Sequence, residues 1–363
     1  MQPIGIYIHV PFCRSKCGYC DFYSLTREDL REIYVKRVIE EIYTYENKGI
    51  TADTLFLGGG TPSLLTESEV GRLVDACRQI FSLRGETTME ANPDSVSLSY
   101  LKAIQNAGIN RISFGAQSGV DQELQALGRR HSTEQIKQAV IWAREAGLDN
   151  LSLDIMVGIP YQTSETLKTT LDFMTELQPE HLSCYLLKIE EGTPFYRQHA
   201  ENLCADEDRT ADFYLQTVEM LQNSGYFQYE ISNFSKIGYK SQHNLKYWRC
   251  KEYLGFGAAA HSFFGGKRFY HSASIEEYLT LPDFAIVPDG DGGGIDEQIL
   301  LQLRLCEGVN VETIPDHTWA EQLLIRSKKY QKAGFMQLNG GRLAFTPEGF
   351  LVSNKILAEL LAD

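Results

Sequence analysis

The feature that most constrains the fold is a regular alternation of short β-rich runs with helical segments in the first two thirds of this 363-residue chain. The segments between the runs carry apolar residues at helical spacing, and one of them ends on Gly147, as a helix C-terminus often does. Strands that alternate with helices predict βαβ units and a parallel sheet. The six predicted strands are residues 4–10, 54–59, 87–93, 111–117, 150–158 and 181–188.

Six such strands predict an α/β protein with an open (β/α)6 partial TIM barrel rather than a closed eightfold barrel. A doubly wound sheet is the alternative, because periodicity does not distinguish an open barrel from an open twisted sheet. In both architectures ligands bind at the carboxyl ends of the strands. The polar and glycine-rich features of this sequence all follow predicted strands, so we expect one site at that rim.

The pattern changes after a helix predicted over residues 207–225. The next segment, residues 231–290, is aromatic and glycine-rich, and a stretch rich in Pro, Gly and Asp at residues 282–296 predicts a linker. We therefore divide the chain into three parts. These are a core at residues 1–230, an aromatic segment with its linker at 231–290, and a C-terminal domain at 291–363.

The C-terminal domain shows two helical segments followed by a predicted hairpin, whose turn contains Asn339, Gly340 and Gly341. A closing helix opens with Pro347, a residue favoured in the first turn of a helix. This order of helices and hairpin predicts a small winged-helix-like domain.

Composition limits the partners and the compartment. Thirty-four basic against 48 acidic residues give a formal charge of −14, and no basic run is present, so a nucleic-acid partner is not expected. No window approaches the ~20 apolar residues of a membrane span, and residues 1–13 lack the features of a signal peptide. Eight cysteines, three of them crowded near one end, do not resemble a disulfide framework. We expect a soluble cytoplasmic protein with reduced thiols.

The crowded cysteines are Cys13, Cys17 and Cys20, in HVPFCRSKCGYCDF directly after the first predicted strand. Thiolates at this spacing point to a soft metal, either zinc or an iron-sulfur cluster. A structural zinc site needs four ligands, and His9 is the candidate for the fourth. A cluster held by only three cysteines leaves one iron without a protein ligand, so that an exchangeable ligand can bind there.

The spacing C-x3-C-x2-C after the first strand resembles that of the radical S-adenosylmethionine (radical SAM) superfamily. The resemblance implies a 4Fe-4S cluster whose open iron chelates the amino and carboxylate groups of S-adenosylmethionine. A zinc knuckle, or three unconnected thiols, is the alternative.

Other polar and glycine-rich residues follow the predicted strands and belong to the same rim. The glycines of LFLGGGTPS allow a close backbone approach and offer N–H and C=O groups to an amino-acid head group. Taken one at a time, each polar residue has a plain structural explanation, but as a set on one rim they predict a ligand site. The predicted cofactor-binding residues are Tyr7, Phe22, Gly59, Gly60, Thr61, Glu90, Gln117, Arg129 and Asp154.

Over nearly its whole length the sequence resembles the coproporphyrinogen dehydrogenase-like group of that superfamily, which includes HemN and the HemW-type haem chaperones. The motifs LFLGGGTPS, EANPD, FGAQS, LGRRH, DIMVGIPYQT, YEISNF and HNLKYW match in order. The match implies contacts between S-adenosylmethionine and the residues Tyr7, Gly59, Glu90, Gln117, Arg129 and Asp154.

Within this group the sequence is similar to the HemW-type proteins in three respects. Phe22 stands where HemN-type enzymes carry a further cysteine, and the chain begins close to its first strand without a long N-terminal extension. HNLKYW fits the HN-x-x-YW motif that the HemW type associates with haem, which implies a haem site at His243. The resemblance to the group as a whole implies a HemN-type C-terminal domain at residues 291–363. His261 and Cys250 are the other candidate haem ligands, although GFGAAAHS departs from the family's usual loop before His261.

The resemblance implies a haem chaperone that carries a 4Fe-4S cluster and S-adenosylmethionine and passes haem to an acceptor protein. Expected partners are an electron donor such as a flavodoxin or ferredoxin, and peripheral contact with membrane respiratory proteins. Oxygen-independent oxidation of coproporphyrinogen III is the second hypothesis, and radical chemistry on an unrelated substrate is the third, since fold alone does not fix function.

Overall fold

A computed structural model describes residues 2–362 of the chain. All six predicted strands are present, with ends shifted by two residues at most. Each of them is followed by at least one helix. The strands are β1 Ile4–Val10, β2 Ala52–Gly59, β3 Glu86–Ala91, β4 Arg111–Gln117, β5 Leu151–Val157 and β6 His181–Leu186.

The six strands lie side by side in chain order, and every neighbouring pair among them is parallel. A doubly wound sheet reverses its strand order partway, whereas a barrel progresses in one direction. The observed order is therefore that of a barrel. β1 and β6 do not pair with each other, so the barrel is open and the prediction of a partial (β/α)6 barrel is confirmed.

Helices follow each of these strands, and several begin with a side chain that caps the first turn. Thr66 and Glu69 form a reciprocal capping box at one of them, and Ser132 and Gln135 do so at another. The helices are α1 Arg31–Tyr43, α2 Glu67–Phe81, α3 Leu98–Ala107, α4 Asp121–Ala126, α5 Thr133–Glu145, α6 Ser164–Glu176, α7 Pro194–Arg197, α8 Glu207–Asn223, α9 Gln242–Trp248 and α10 Ile275–Thr280.

Residues 227–291 extend the sheet at both of its edges. Beyond β6 lie two short antiparallel strands, and β9 pairs in parallel with the free side of β1, followed by three further antiparallel strands. The motif HNLKYW forms α9, a helix that was not predicted. The added strands are β7 Phe227–Gln228, β8 Asn233–Ser235, β9 Tyr253–Phe256, β10 His261–Phe264, β11 Lys267–His271 and β12 Ile286–Asp291.

The predicted linker at residues 282–296 is wrong in part, because β12 lies within it and pairs with β11. An edge strand has one neighbour and little buried surface, and most of β12 is exposed. Its sequence, IVPDGD, therefore lacks the apolar alternation that marks a half-buried strand.

The C-terminal part forms helices around a three-stranded antiparallel sheet, which confirms the winged-helix-like prediction in outline. A short strand, β13, joins the predicted hairpin, and the closing helix is divided at Val352. Asn339 ends a strand, and Gly340 and Gly341 form the turn with positive φ angles. The elements are α11 Ile295–Gln302, β13 Val309–Asn310, α12 His317–Lys332, β14 Met336–Asn339, β15 Arg342–Phe345, α13 Pro347–Leu351 and α14 Ser353–Leu360.

Most buried apolar side chains form one continuous core from β1 to α14, and two small clusters are separate from it. The division into three parts at residues 230 and 290 stays a prediction. None of the helices within residues 2–362 combines the length and the apolar character that crossing a bilayer requires.

Candidate functional site

A cavity of about 440 Å³ opens at the carboxyl ends of the six parallel strands, and all three clustered cysteines border it. We call it the cysteine cavity, after Cys13, Cys17 and Cys20. They lie on the loop between β1 and α1, which closes on itself where the N–H of Cys13 donates to the carbonyl of Leu25. The sulfur of Cys13 also lies 3.4 Å from Oγ1 of Thr61, at the end of the neighbouring strand.

Burial raises the pKa of both the Cys13 and the Cys20 thiol, so neither ionises readily without a cation. Arg129 supplies one such charge, since its Nη1 donates to the sulfur of Cys17 over 3.5 Å. Within residues 2–362, no three His, Cys, Asp or Glu side chains converge closely enough to hold a single metal ion. The three thiols instead surround a space, and in an iron-sulfur cluster each thiolate binds a different iron.

The glycine-rich turn after β2 joins the cysteine loop to the sheet. The N–H of Gly60 donates to the carbonyl of Val10 over 2.9 Å, and the N–H of Thr61 donates to that of Phe12 over 2.8 Å. A side chain at Gly60 would place its Cβ 2.8 Å from both of those carbonyl oxygens, and Gly59 has a φ of 109°. Glycine is therefore required by this close approach. The two N–H groups are used inside the protein and are not free for a ligand.

Three carboxyl groups border the cysteine cavity: that of Asp21 on the cysteine loop, and those of Glu90 and Asp154 on the strands. Burial, reinforced by the charge of Asp154, raises the pKa of Glu90 to about 8. Oε2 of Glu90 accepts a hydrogen bond from the N–H of Gly59 over 3.1 Å, and Oδ1 of Asp154 accepts one from Ser113 over 3.0 Å. Both oxygens are held in place by strand residues. The raised pKa favours the protonated carboxyl of Glu90 at neutral pH, whereas a cationic ligand would favour its ionisation.

Arg129 lies at the centre of the polar network. Its Nη2 donates to Oδ1 of Asn92 over 2.6 Å and to the carbonyl of Gly115 over 2.8 Å, but its buried Nε has no partner within residues 2–362. Oε1 of Gln117 is likewise buried without a partner in the described chain, and Gln117 adopts a positive φ of 70° at the end of β4. Unpaired buried polar atoms are costly, so these two mark a place for a polar ligand.

A second cavity, of about 490 Å³, adjoins the first, and Asp21 and Phe22 border both. Its walls are largely aromatic, so we call it the aromatic cavity. The side chain of Phe22 is 69% exposed at the junction. The aromatic residues that define the cavity are Tyr7, Phe22, Tyr23, Tyr247 and Tyr253.

The structure brings most of the predicted cofactor residues together. Tyr7 is the exception, because it borders the aromatic cavity and donates its hydroxyl to Nδ1 of His9 over 3.0 Å. The roles of all these residues stay predictions. Those that border the cysteine cavity are Cys13, Cys17, Cys20, Phe22, Gly59, Gly60, Thr61, Glu90, Gln117, Arg129 and Asp154.

His243 lies apart from both cavities, on α9 below the inner face of β2. Its side chain is 1% exposed, and both ring nitrogens have protein partners. Nδ1 lies 2.9 Å from Oγ1 of Thr54 and Nε2 lies 2.7 Å from the hydroxyl of Tyr247. Burial, together with the charges of Lys246 and Arg111, lowers the pKa of this imidazole to about 3. In this conformation the ring offers no free nitrogen to a metal.

The other two candidate haem ligands are placed differently. His261 begins β10, borders the aromatic cavity and is exposed, with its ring stacked on that of Tyr270 at 5.2 Å between centroids. Cys250 borders a separate groove near the amino ends of the strands, and its sulfur lies 4.0 Å from Oε2 of Glu297. Cys250 is therefore outside the aromatic cavity.

Two groups of site residues were missed in the sequence. Asn92 links Arg129 to Oγ1 of Thr61 by hydrogen bonds of 2.6 and 3.2 Å, and its place directly after β3 was the available signal. Tyr253 and Arg268 border the aromatic cavity from β9 and β11. Those strands lie in a glycine-rich region whose sequence did not predict a strand, so these two residues could not be placed at the site.

Comparison with known proteins places this geometry in a class. Residues 7–174 match the family described as the radical SAM superfamily, and residues 295–352 match the HemN C-terminal domain. The solved structure of coproporphyrinogen III oxidase (HemN) from Escherichia coli superposes with a TM-score of 0.85 at 22% identity, over 99% of this chain and 90% of that one. The fold is that of a radical SAM protein.

Curated relatives narrow the class to one family. Heme chaperone HemW from Bacillus subtilis is 33% identical over 98% of this chain and 99% of its own length. HemW from Escherichia coli is 40% identical over 72% of this chain and 70% of its own. The chain belongs to the HemW family.

Proposed function

We propose that this protein is a haem chaperone that holds a 4Fe-4S cluster and S-adenosylmethionine in the cysteine cavity and haem in the adjoining aromatic cavity. The relatives that bear the name heme chaperone support this reading. The observation that carries it is the junction of two cavities of different chemistry at one rim of the barrel, one bordered by three thiols and the other by five aromatic rings.

The residues present fit a cluster. Cys13, Cys17 and Cys20 surround one cavity rather than meeting at a point, and no fourth cysteine borders it within the described chain. Arg129, 3.5 Å from the sulfur of Cys17, would offset the negative charge that a thiolate-bound cluster adds. The cluster's own chemistry is one-electron reduction of a sulfonium, while the protein positions and shields the reactants.

The cavity also fits S-adenosylmethionine, whose amino, carboxylate, hydroxyl and sulfonium groups need several polar partners. The unpaired Nε of Arg129 can donate to a carboxylate, and the unpaired Oε1 of Gln117 can accept from an amino or hydroxyl group. Glu90 and Asp154 supply acceptors and, once ionised, negative charge for the cationic ligand. No backbone N–H of Gly60 or Thr61 takes part, because both donate within the protein.

Haem fits the aromatic cavity. A macrocycle packs on flat aromatic surfaces, and Tyr7, Tyr23, Tyr247 and Tyr253 provide them around a space of about 490 Å³. Tyr247 belongs to the segment HNLKYW, so that segment contributes a wall of the site. In this proposal the haem then passes to an acceptor protein.

The test is an anaerobic reconstitution of the full-length chain with iron and sulfide. We expect bound iron and sulfide, binding of S-adenosylmethionine, and saturable binding of haem in a titration followed by visible absorption. The same preparation would be given coproporphyrinogen III with a reductant. Conversion to protoporphyrinogen would replace the chaperone with the oxidase hypothesis, and failure to bind haem would contradict the proposal outright.

The remaining parts of the proposal concern the surroundings of the protein. We place its action in the cytoplasm, in line with the reduced state of its eight cysteines, all of which are free in the structure. The electron donor of the flavodoxin or ferredoxin kind, and peripheral contact with membrane respiratory proteins, stay predictions. Pull-down of the reconstituted, haem-loaded chain against candidate acceptors would test the transfer step.

A further inference from the structure

A segment from the end of β11 to the start of β12 contacts the cysteine loop. We call this segment, residues 271–285, the strap. The hydroxyl of Tyr23, on the loop, accepts a hydrogen bond from the N–H of Ile275 over 2.8 Å. Ile275 is the first residue of α10, so its N–H has no partner within that helix. The contact joins residues that are 252 positions apart in the sequence.

A buried group of polar side chains attaches the strap to α1. Oε1 of Glu41 lies 3.0 Å from Nε2 of His271, and its Oε2 accepts a hydrogen bond from the hydroxyl of Tyr278 over 2.6 Å. All three side chains are buried. Arg37, one turn before Glu41 on the same helix, donates to the carbonyl of Tyr278 over 3.2 Å. Since α1 follows the cysteine loop in the chain, the strap is attached both to the loop and to the helix after it.

The partners of His271 favour a charged ring. Nδ1 lies 2.8 Å from the carbonyl oxygen of Phe284, and Nε2 lies 3.2 Å from that of Gly255 in addition to facing Glu41. Carbonyl and carboxylate oxygens are acceptors, whereas a neutral imidazole has a single N–H to donate. Burial on its own lowers the pKa of this imidazole, but the hydrogen bond and charge of Glu41, together with the two carbonyl groups, raise it above the usual 6.5.

Other titratable and charged groups pack around this ring from three elements. Burial holds the pKa values of Tyr34 and Tyr278 well above 10, and it lowers the pKa of His261 below 6.5. These three groups therefore keep one protonation state between about pH 6.5 and 9. A rise in pH through that range acts on this group of side chains through His271. The surrounding groups are Tyr34, Arg37 and Glu41 on α1, Tyr278 on α10 and His261 on β10.

We propose that Glu41, His271 and Tyr278 are positioning residues that hold the strap against Tyr23, so that the cysteine loop keeps the conformation that binds the cluster until His271 loses its proton. This inference rests on the proposed cluster in the cysteine cavity. A buried ion pair adds little net stability over apolar side chains of similar volume, so its specific contribution here is orientation and a dependence on protonation. The three side chains do not border the cysteine cavity and act on it through Tyr23 and α1.

The direction of the pH effect separates this proposal from ordinary protonation of the cluster ligands. Thiolates are favoured as pH rises, so cysteine ligands alone should retain a cluster better at higher pH. A group whose pKa is raised on folding stabilises the fold below its unfolded pKa, and that contribution is lost as pH rises through the folded value. For His271 the loss therefore occurs above pH 6.5. We expect the cluster to be released faster as pH rises, which is the opposite of the thiolate effect.

The test follows the transfer of iron from the reconstituted, full-length protein to a chelator, under anaerobic conditions, between about pH 6.5 and 9. Wild type should release iron about 5- to 20-fold faster at the upper end of that range. His271→Gln should release it at every pH at a rate near the fast limit of wild type. His199→Gln changes an exposed histidine that pairs with Glu201, and as the matched control it should behave like wild type.

Tyr23→Phe tests the route from the strap to the loop, because it removes only the hydroxyl that bonds Ile275. At the lower end of the pH range it should release iron about 3- to 10-fold faster than wild type, and it should lose most of the pH dependence. Its urea unfolding should keep the contribution of His271 to the pH dependence of stability, which His271→Gln should lose. A role of His271 in stability alone would leave the pH profile of iron release in Tyr23→Phe unchanged.

A further measurement needs no cluster. Hydrogen exchange over residues 11–30 of the cluster-free protein should be faster in His271→Gln and in Tyr23→Phe than in wild type at the lower end of the pH range. The difference should shrink at the upper end, where the wild-type strap is itself released. Comparison of the proteins at equal pH removes the intrinsic pH dependence of exchange.

The outcomes separate this inference from the proposed function. A wild-type pH profile of iron release in His271→Gln would overturn the inference, as would wild-type release in Tyr23→Phe. If His271→Gln does not fold, Tyr23→Phe decides, because it removes a single hydroxyl group. If wild type binds no iron and sulfide, the proposed function fails, and equal hydrogen exchange in wild type and Tyr23→Phe would separately show that the strap does not hold the loop.

Discussion

The two adjoining cavities differ in what they leave unsatisfied. The cysteine cavity contains titratable thiols and carboxyl groups, and it leaves the buried Nε of Arg129 and Oε1 of Gln117 without partners in the described chain. In the aromatic cavity His9 is bonded to the hydroxyl of Tyr7 and to the carbonyl of Tyr23, whereas the imidazole of His261 is exposed. A small charged ligand suits the first and a flat apolar ligand with a metal suits the second. The polar groups that have no hydrogen-bond partner therefore indicate the kind of ligand better than the residue types of the lining do.

The largest effect is expected from removing one cysteine thiol, which should disrupt the cysteine cavity but not the aromatic cavity. Cys17→Ala should lose essentially all cluster iron and sulfide, because the loop supplies only three cysteine ligands and the variant keeps two of them. Haem binding in the aromatic cavity should stay within about twofold of wild type. Chemical iron and sulfide analysis and a haem titration on the same sample measure both. Cys250→Ala is the matched control and should keep its iron. Loss of haem binding in Cys17→Ala would show that the two cavities are not independent.

The next effect concerns charge in the cysteine cavity. Arg129→Gln removes the guanidinium next to Cys17 and should weaken the binding of S-adenosylmethionine about 10- to 100-fold, since a charge-assisted contact with a carboxylate is lost. Calorimetry under anaerobic conditions measures it. Arg130→Gln changes the neighbouring exposed arginine, which pairs with Asp94 at 3.8 Å, and should have little effect. Equal losses in the two variants would contradict the role given to Arg129.

A third effect depends on pH and concerns Glu90. Its pKa is raised from 4.5 to about 8 in the folded protein, so the unfolded chain releases this proton first and stability falls as pH rises from 4.5 to 8. In the protein without ligands, Glu90→Gln should remove the contribution of Glu90 to that slope and leave those of Glu230 and Asp154, whose pKa values are also raised by burial. The variant should be more stable than wild type at pH 9 by about 1–3 kcal/mol, and equal to it or less stable at pH 4.

Urea unfolding across that pH range measures the difference. Tyr253→Phe in the aromatic cavity is the comparison, because the pKa of Tyr253 is raised above 10 and does not change protonation there. If the free energy of unfolding changed with pH by the same slope in wild type and in Glu90→Gln, Glu90 would be ionised in the folded protein.

The smallest effect is expected where the cavities meet. Phe22→Leu keeps an apolar side chain but removes an aromatic surface that borders both, so the affinities for S-adenosylmethionine and for haem should each fall about two- to tenfold. The same titrations measure it, with Phe227→Leu, an exposed phenylalanine elsewhere, as control. A change in only one affinity would assign the residue to a single cavity.

Much of this arrangement was visible in the sequence because it depends on local patterns. Apolar runs predict the six parallel strands. The spacing on one loop indicates that Cys13, Cys17 and Cys20 act together. Since the carboxyl ends of parallel strands share a rim, the sequence alone predicts that Glu90 and Asp154 belong to one site.

The rest depends on contacts between distant segments, which periodicity does not encode. The hydrogen bond between His243 and Thr54 joins residues 189 positions apart, and it decides that this imidazole is paired rather than free. The same holds for the N–H of Gly60, which is used by Val10 and not by a ligand. Sequence identifies the groups that matter, and only the packing shows whether each is already satisfied.

The parallel pairing of β9 with β1 limits how the chain can be shortened. β1 is flanked by β2 on one side and, through residues 5–8, by β9 on the other. A fragment ending at residue 230 would keep the three cysteines but lose β9. One edge of β1, the strand before the cysteines, would then have no partner. An uncovered strand edge promotes pairing with another copy, so we expect such a fragment to aggregate.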